Sequence, residues 1–351
     1  MSLEKKKKVV VIGGGFAGSL CAKKLERYFD VILIDTKNYF EFTPGVLRTI
    51  VKPEHLRKIQ VLHTHYLRRA KVITGKVDRI NDKFIYVNGK KLGFSYLIIC
   101  AGSSYNAPFK EQNLVVATRE EHFRDYYKEL CRAKKVLIIG GGIVGVELAG
   151  EIFWRYGKEK ELTIVHASNS LMERNPHRAR HFAEKYLKRK GAKIIFNERV
   201  VKTNNGRYIT NKGRKIKADI AFLCTGITPN FDFMKKYFSR YINKKNQIIV
   251  NEHLQLERKK NIFAAGDITD CKVEKTAQNA EIQGEIAVKN IFALERGLEM
   301  KKYKEKKTPL VISLGKWNGL FVLGNGFTII GLIPAFTKWA IEKWEMWKKK
   351  F

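Results

Sequence analysis

Two glycine turns are the parts of this sequence whose residue types and spacing have the clearest chemical use. Each has the spacing GxGxxG and joins an apolar run, typical of a buried strand, to a segment with helical character. The first glycine permits the bend, the second lets the backbone approach a pyrophosphate at the helix N-terminus, and the third lets the helix pack on the strand. The sequence therefore predicts two dinucleotide sites. Their candidate residues are Gly13, Gly15, Phe16, Ala17 and Gly18 in the first turn, and Gly140, Gly142, Ile143, Val144 and Gly145 in the second.

The strand that follows each turn ends in a residue suited to contact a ribose. Asp35 ends the first of these strands, about 20 residues past the glycines, where a carboxylate can accept hydrogen bonds from the hydroxyl groups. His166 has the same place in the second repeat. A carboxylate would repel a 2′-phosphate, whereas a histidine flanked by Ser168 and Ser170 could bind one. NADH and NADPH therefore both remain open as substrates at the second site.

Three further apolar runs end in small residues, glycine or aspartate. Such turns let the backbone come close to a bound cofactor, and one of them follows each glycine turn along the chain. This repetition is what two copies of one nucleotide-binding fold would give. They are Ala101–Gly102, Thr225–Gly226 and Gly266–Asp267.

The composition restricts the partners and sites that fit. A net charge of +34 on 351 residues favours attraction to anionic lipid, nucleic acid or acidic metabolites, unless it reflects general lysine richness. The lysines are spread along the chain without a nucleic-acid-binding motif, so we expect no nucleic-acid partner. The five cysteines form no CxxC, and His63 and His65 have no acid beside them in the sequence. We therefore expect neither a disulfide framework nor a metal site.

Four motifs together resemble the flavoproteins that carry two dinucleotide-binding domains. They are GGGFAG with Asp35, GGGIVGVELAGE, TGITPN at 225–230 and FAAGD at 263–267. The resemblance spans about residues 8–345 and implies FAD at the first glycine turn and NADH or NADPH at the second. It also implies that Asp267 contacts the ribityl chain of the flavin.

Further motifs narrow the resemblance to the type II NADH:quinone oxidoreductases, which are non-proton-pumping respiratory enzymes. The run FTPGVL, with Thr43 and Pro44, resembles their flavin-contact loop, and AQNA with Gln283–Gly284 resembles their quinone-site helix. Ile282 departs from that pattern, because the family has the first of two glutamines there. His166 and the short chain also resemble the apoptosis-inducing-factor-like NAD(P)H:quinone reductases.

This resemblance implies roles for four more side chains and a reaction. Glu147 would place the nicotinamide or relay protons, and Ala277, Gln278 and Gln283 would lie near the flavin and the quinone. A hydride would pass from NAD(P)H to the flavin N5, and two electrons would then reduce a membrane quinone. One alternative is a soluble flavoprotein reductase that donates to a ferredoxin- or rubredoxin-type protein. Another is a sulfide:quinone reductase, which needs a redox-cysteine pair that the chain lacks unless Cys271 takes part.

The expected fold is α/β, with two Rossmann-like dinucleotide-binding domains, a small C-terminal β-hairpin and an amphipathic helix. We place the FAD domain at 1–103 and 229–308, the NAD(P)H domain at 104–228, and the hairpin with its helix at 309–351. Helices are predicted at about 16–28, 119–132, 171–190 and 276–295. The basic start is followed by an apolar run too short for a signal peptide.

The tail has the composition of a membrane-interface helix. No charged residue lies between Lys316 and Lys338, but glycines, asparagines and Pro334 make a hairpin a better prediction there than a transmembrane span. In residues 334–351, three of the five tryptophans, together with Phe336, Ala340 and Phe351, recur at helical spacing beside lysines. We predict peripheral binding to an anionic membrane surface on the cytoplasmic side. The alternative is a helix docked on the protein's own core or on the partner of a homodimer.

Overall fold

Two parallel sheets, one around each glycine turn, form the frame of the protein in a computed structural model that describes residues 6–105 and 116–350. The first half of this frame is built from short strands and helices. They are β1 (Lys8–Ile12), α1 (Phe16–Leu25), β2 (Asp30–Asp35), β3 (Tyr39–Glu41), α2 (Val46–Thr49), β4 (Gln60–Leu62), α3 (His63–Tyr66), β5 (Lys71–Thr74), β6 (Val77–Ile80), β7 (Phe84–Val87), β8 (Lys90–Gly93), β9 (Tyr96–Ile99) and β10 (Ser103–Ser104).

The second half repeats this arrangement, returns to the first sheet, and ends in a separate antiparallel sheet with a helix. Its elements are α4 (Val116–Arg132), β11 (Lys135–Ile139), α5 (Ile143–Tyr156), β12 (Glu161–Val165), α6 (His177–Lys190), β13 (Lys193–Ile195), β14 (Val200–Asn204), β15 (Arg207–Thr210), β16 (Lys215–Lys217), β17 (Ile220–Leu223), β18 (Thr228–Pro229), α7 (Lys235–Phe238), β19 (Ile262–Ala264), α8 (Ala277–Glu295), β20 (Leu310–Ser313), β21 (Gly319–Val322), β22 (Thr328–Gly331) and α9 (Leu332–Lys350).

The two parallel sheets have matching strand orders. The first runs β19-β9-β1-β2-β5 and the second β17-β11-β12-β13, with all neighbours parallel. In the first sheet, β1 leads into the glycine turn and lies between β2, which ends at Asp35, and the later return strand β9. In the second sheet, β11 lies in the same way between β12, which is followed by His166, and the later return strand β17. A three-stranded antiparallel sheet, β6–β8 or β14–β16, precedes that return. The predicted α/β fold with two Rossmann-like units is confirmed, and both turns lie at the carboxyl edge of their strands, where ligands bind in such sheets.

Helix α8 lies directly against helix α1, beside the first glycine turn. Its N-cap is Thr276, whose side chain accepts a hydrogen bond from the Asn279 backbone N–H. A Cβ at Gly284 would lie 3.1 Å from the Ala17 carbonyl oxygen, so glycine permits the close approach. The small residues predicted on this helix therefore serve helix–helix packing.

Three predicted helix boundaries were wrong. Helix α4 begins at Val116, three residues before the expected start. Helix α1 ends at Leu25, three residues before the expected end. Helix α6 begins at His177 after Pro176, and not at 171, because the preceding loop folds back on the second glycine turn. There the Met172 backbone N–H donates to the Gly141 carbonyl at 2.9 Å.

The C-terminal part also differs from the expectation in two respects. The predicted hairpin is the second half of a three-stranded antiparallel sheet, because β20 pairs with β21. Helix α9 begins at Leu332, so Pro334 lies in its first turn, where a missing backbone N–H costs no hydrogen bond. Phe351, which we counted in the helical spacing, lies outside the described residues.

Candidate functional site

The first glycine turn has the shape of a nucleotide cradle. A Cβ at Gly13 would collide with the Cys100 carbonyl, and one at Gly18 with the Gly13 carbonyl, so packing within the protein requires both glycines. A Cβ at Gly15 would meet no atom within 4 Å. This glycine leaves open space at the N-terminus of α1, where a pyrophosphate would approach the backbone.

The second turn repeats this pattern. A Cβ at Gly140 would collide with the Cys224 carbonyl and one at Gly145 with the Gly140 carbonyl, while one at Gly142 would meet nothing within 4 Å. The residues of both turns therefore fit dinucleotides. Phe16 and Ala17 open helix α1, Ile143 and Val144 open helix α5, and Thr225–Gly226 follow strand β17.

Asp35 lies against the first turn as predicted, with a partner that the sequence did not reveal. Its Oδ2 accepts from the Gly14 backbone N–H at 3.0 Å and lies 3.1 Å from His63 Nε2, and His63 Nδ1 is 2.7 Å from the Tyr66 hydroxyl. Burial acts to raise the pKa of Asp35, but hydrogen bonding to His63 and the charge of Lys37 hold it below its usual value. The expectation that no acid lies beside His63 is wrong. Within the described ranges, no group of three or more His, Cys, Asp or Glu side chains could hold a metal ion.

The segments that follow the return strands β9 and β17 contact each other, and the first of them also contacts the Gly266–Asp267 turn. The Ser103 hydroxyl donates to Asp267 Oδ2 at 2.6 Å. Asn230 binds the first return turn twice, through its side chain to the Ala101 carbonyl at 2.8 Å and through its backbone N–H to the Gly102 carbonyl at 3.0 Å. These bonds tie the predicted turns to one another, and they make Ser103 and Asn230 further candidate site residues that spacing alone did not find.

The two glutamines of helix α8 lie in different surroundings. Gln283 is 1% exposed, and its Oε1 accepts from the Gly266 backbone N–H at 2.7 Å and from the Thr269 hydroxyl at 3.3 Å. These hydrogen bonds hold the Gly266–Asp267 turn in place from the side of helix α8. Gln278 is exposed in the first turn of the helix, next to the half-buried Ala277. The roles predicted for these residues at the flavin and quinone stay predictions.

His166 lies against the second turn in the position that Asp35 has at the first. Its Nδ1 accepts from the Gly141 backbone N–H at 3.0 Å, and its Nε2 is 3.0 Å from Glu173 Oε2. Nearby, the Ser170 hydroxyl accepts from Arg180 at 2.9 Å. Both nitrogens of the imidazole are thus engaged within the protein.

Glu147 is buried under the C-terminal part of the chain. Its Oε1 accepts from the Ser313 backbone N–H at 2.7 Å and from the Lys338 ammonium, while Glu151, one turn along α5, binds Arg48 at 2.9 Å. Each carboxylate has its own cation, so the two do not repel each other as their spacing suggests. Lys338 and Ser313 are further candidate site residues that the sequence did not indicate.

A cleft lies between the Thr43–Pro44 turn, helix α5 and helix α9. Cations and carboxylates line its inner part, and Trp339 lines it on the side of α9. A Cβ at Gly45 would approach Glu342 Oε2 to 3.0 Å, which shows how closely α9 lies over the turn. The lining residues are Pro44, Gly45, Leu47, Arg48, Glu151, Ser313, Ala335, Lys338, Trp339 and Glu342.

Helix α9 docks mainly through polar groups and exposes its large apolar side chains. Glu342 lies 3.1 Å from His55 Nε2, and the buried Lys349 ammonium donates to the Ser19 hydroxyl at 2.8 Å. None of the helices within residues 6–105 and 116–350 combines the length and apolar composition that crossing a bilayer requires. The outward side chains, 41–66% exposed, are Leu332, Ile333, Phe336, Trp339, Ile341, Trp344 and Trp347.

The family follows from a match of the whole two-turn region. Residues 7–284 match the family model described as pyridine nucleotide-disulphide oxidoreductase. The chain belongs to this family. The cysteines of the described residues are nonetheless free thiols, four of them buried.

Two proteins are similar in sequence to this chain along nearly its whole length. Apoptosis-inducing factor homolog B of Dictyostelium discoideum is 33% identical, with 90% of this chain and 89% of the relative covered. Ferroptosis suppressor protein 1 of Homo sapiens is 30% identical, with 94% of this chain and 92% of the relative covered.

Solved structures of lower sequence identity share the fold. NDH2 from Plasmodium falciparum, in complex with NADH, superposes with a TM-score of 0.83 at 16% identity, over 99% of this chain and 96% of that one. Sulfide:quinone oxidoreductase from Aquifex aeolicus superposes with a TM-score of 0.82 at 20% identity, over 98% and 91%. The predicted cofactors, FAD and NAD(P)H, are confirmed, and the protein is a FAD- and NAD(P)H-dependent oxidoreductase. Its assignment as a type II NADH:quinone oxidoreductase stays a prediction.

Proposed function

We propose that the protein is a peripheral NAD(P)H:quinone oxidoreductase at the cytoplasmic face of a membrane. The observation that carries this proposal is the cleft beneath helix α9. It connects the Thr43–Pro44 turn, expected to contact the flavin, with Trp339 on the exposed apolar face of the helix. The cleft is narrow, about 20 Å³, so helix α9 would have to move outward to admit a quinone ring. A quinone dissolved in a membrane under the exposed face would then reach the cleft without crossing water.

The charged groups of the cleft fit the proton requirement of this reaction. NAD(P)H, a quinone and one proton give NAD(P)⁺ and a quinol. The bound flavin supplies the two-electron chemistry, and the protein orients the reactants and delivers the proton. Lys338 Nζ, held by Glu147 Oε1 and 3.0 Å from the Ser313 hydroxyl, is placed to donate a proton to a quinone oxygen in the cleft.

The outer face of helix α9 fits a membrane interface. Trp344 and Trp347 stack with ring centroids 5.2 Å apart, and Phe336 and Trp339 lie 5.3 Å apart. We call these two exposed aromatic pairs the ridge of helix α9. Tryptophans with a lysine border are typical of helices that lie in the headgroup region. The net charge of +34 would add attraction to anionic lipids.

The test replaces most of the ridge and keeps the inner face of the helix. Deleting residues 334–351 would also remove Lys338, Glu342 and Lys349, so the better variant is Phe336→Ser, Trp344→Ser and Trp347→Ser together, which leaves Trp339 of the cleft in place. We expect loss of flotation with anionic vesicles and loss of long-tail quinone reduction in them. Reduction of a water-soluble short-tail quinone should remain.

The control variant is Tyr237→Ser, which removes an aromatic side chain of similar exposure, 48%, from helix α7. It should float and turn over as the wild type does. If the triple variant still floats with vesicles, the membrane assignment is wrong. If the wild type reduces a ferredoxin-type protein and no quinone, the soluble-reductase alternative holds instead.

A further inference from the structure

We propose that Glu173 makes the protein select NADH over NADPH. His166 holds the Glu173 carboxylate beside the adenosine ribose of the nicotinamide dinucleotide. This proposal rests on NAD(P)H as the reductant and adds which of the two coenzymes the site accepts.

The first observation is the hydrogen-bond direction at His166. The Gly141 backbone N–H donates to Nδ1 at 3.0 Å, so Nδ1 is the acceptor nitrogen and the ring proton is on Nε2. Nε2 then donates to Glu173 Oε2 at 3.0 Å. The Glu173 carboxylate therefore occupies Nε2, the outer nitrogen of the imidazole. This nitrogen is not available to donate a hydrogen bond to a phosphate.

The second observation places Glu173 at the glycine turn by an independent contact. The preceding residue, Met172, donates its backbone N–H to the Gly141 carbonyl at 2.9 Å. Leu171 packs against the same glycine, where a Cβ would approach its Cδ2 to 2.5 Å. The loop after β12 thus wraps the middle of the turn, and it begins at the end of the second strand, which is where the adenosine ribose lies in a dinucleotide site of this fold.

The first glycine turn also has a carboxylate and an imidazole beside its middle glycine, but the two groups have exchanged places. There a carboxylate, Asp35, binds the middle glycine Gly14, and the imidazole of His63 lies behind it. At the second turn the imidazole binds the glycine and the carboxylate of Glu173 lies outside. Both sites therefore contain a carboxylate near the ribose, although only the first has it at the end of its strand.

The charges around Glu173 favour the same conclusion. Burial acts to raise its pKa, but hydrogen bonding, including that from His166, and the charge of Arg174 lower it, so the group is ionised at neutral pH. A 2′-phosphate at this place would meet the carboxylate, whereas the 2′-hydroxyl of NADH could donate to it.

The experiment measures binding of the oxidised coenzymes to the FAD-loaded protein, so that no turnover is needed. Equilibrium titrations with NAD⁺ and NADP⁺, and with their fragments ADP-ribose and 2′-phospho-ADP-ribose, are compared for the wild type and Glu173→Gln. We expect the wild type to bind NAD⁺ more tightly. The variant should shift the ratio toward NADP⁺ by about tenfold, because one repulsive charge is removed.

Two further variants make the test specific. Arg174→Gln, which removes the cation next to Glu173, should shift the ratio further toward NAD⁺. Glu184→Gln removes a carboxylate of the same domain that binds Lys188, and it should leave the ratio unchanged. Equal affinity for both coenzymes in the wild type, with no response to Glu173→Gln, would overturn this proposal alone. Binding of neither coenzyme by the FAD-loaded protein would overturn the proposed function as well.

Discussion

Three buried carboxylates at helix α9 are paired with basic side chains that come from distant parts of the chain. Glu147 binds Lys338, Glu151 binds Arg48, and Glu342 lies beside His55. Removing one member of a buried pair leaves a charge without its partner, which is costly. These pairs therefore fix the position of the side chain that we place at the quinone.

Lys338→Met should separate the two half-reactions. We expect quinone reduction to fall by roughly a hundredfold, the usual contribution of a positioned general acid, while flavin reduction by NAD(P)H in a single turnover stays near the wild-type rate. Stopped-flow absorbance of the flavin measures both. Lys343→Met, an exposed lysine on the same helix, is the control and should change neither. Equal losses in both half-reactions for Lys338→Met would show that Lys338 acts on the fold and not on the quinone.

For individual residues, the sequence predicted the backbone conformation of the glycine turns. It did not predict the side-chain contacts between residues that are far apart in the chain. The glycines and Asp35 have a fixed spacing because a strand, a turn and a helix are contiguous in the chain. Lys338 is 191 residues from Glu147, and no local pattern marks the pair. His63 is 28 residues from Asp35 and was missed for the same reason.

Among the elements, helix α9 is the one whose orientation the sequence left open. Its composition predicted a membrane helix or a helix docked on the core, and the structure shows docking with the apolar side outward. Its C-terminal end is held by Lys349, 7% exposed, whose ammonium lies 4.8 Å from the Phe40 ring and 5.0 Å from the Tyr66 ring. A lysine can lie there because Ser19 accepts its hydrogen bond and aromatic faces attract its charge.

Lys349 predicts an unusual pH dependence. Burial, only partly offset by Glu281 and Glu345, lowers the pKa of Lys349 to about 8. The folded protein therefore releases this proton at a lower pH than the unfolded chain, so the contribution of Lys349 to stability rises above pH 8. From pH 7 to 9.5, the free energy of unfolding of the wild type should rise relative to that of Lys349→Met by about 2 kcal/mol at most.

Thermal and denaturant unfolding at several pH values provide the measurement. Lys343→Met serves again as the control, since an exposed lysine should give a difference from the wild type that does not depend on pH. A difference between Lys349→Met and the wild type that is equally flat would mean that Lys349 keeps its ordinary pKa in the folded state.

For the whole molecule, the duplication made the architecture predictable. Two glycine turns followed by the same order of strands imply two parallel sheets, and both are present. The sequence did not predict the contact between the segments that follow the return strands β9 and β17, where β10 pairs with β18 through only two residues each. Nor did it predict β20 as a third strand, because Leu310–Ser313 follows a charged segment and lacks a turn signal of its own.

The charge of the whole molecule predicts how membrane binding depends on salt. With a net charge of +34, flotation with vesicles that contain anionic lipid should be strong at low salt and fall by about tenfold or more near 0.5 M salt, as screening shortens the Debye length. Zwitterionic vesicles should bind weakly at both concentrations. Binding that is independent of both salt and lipid charge would show that the apolar ridge acts without help from the surface charge.

Helix α9 has polar contacts with the protein and, in our proposal, an apolar contact with a membrane, and the two should differ in heat capacity. Its inner contacts are mainly ion pairs and hydrogen bonds, with Pro334 and Met346 as buried apolar exceptions. Exposing polar surface lowers the heat capacity and exposing apolar surface raises it, so detaching this helix from the protein should change the heat capacity little. Transfer of its tryptophan ridge into lipid should lower the heat capacity clearly. The attachment of the helix to the protein should thus vary little with temperature, while its attachment to a membrane should weaken on cooling.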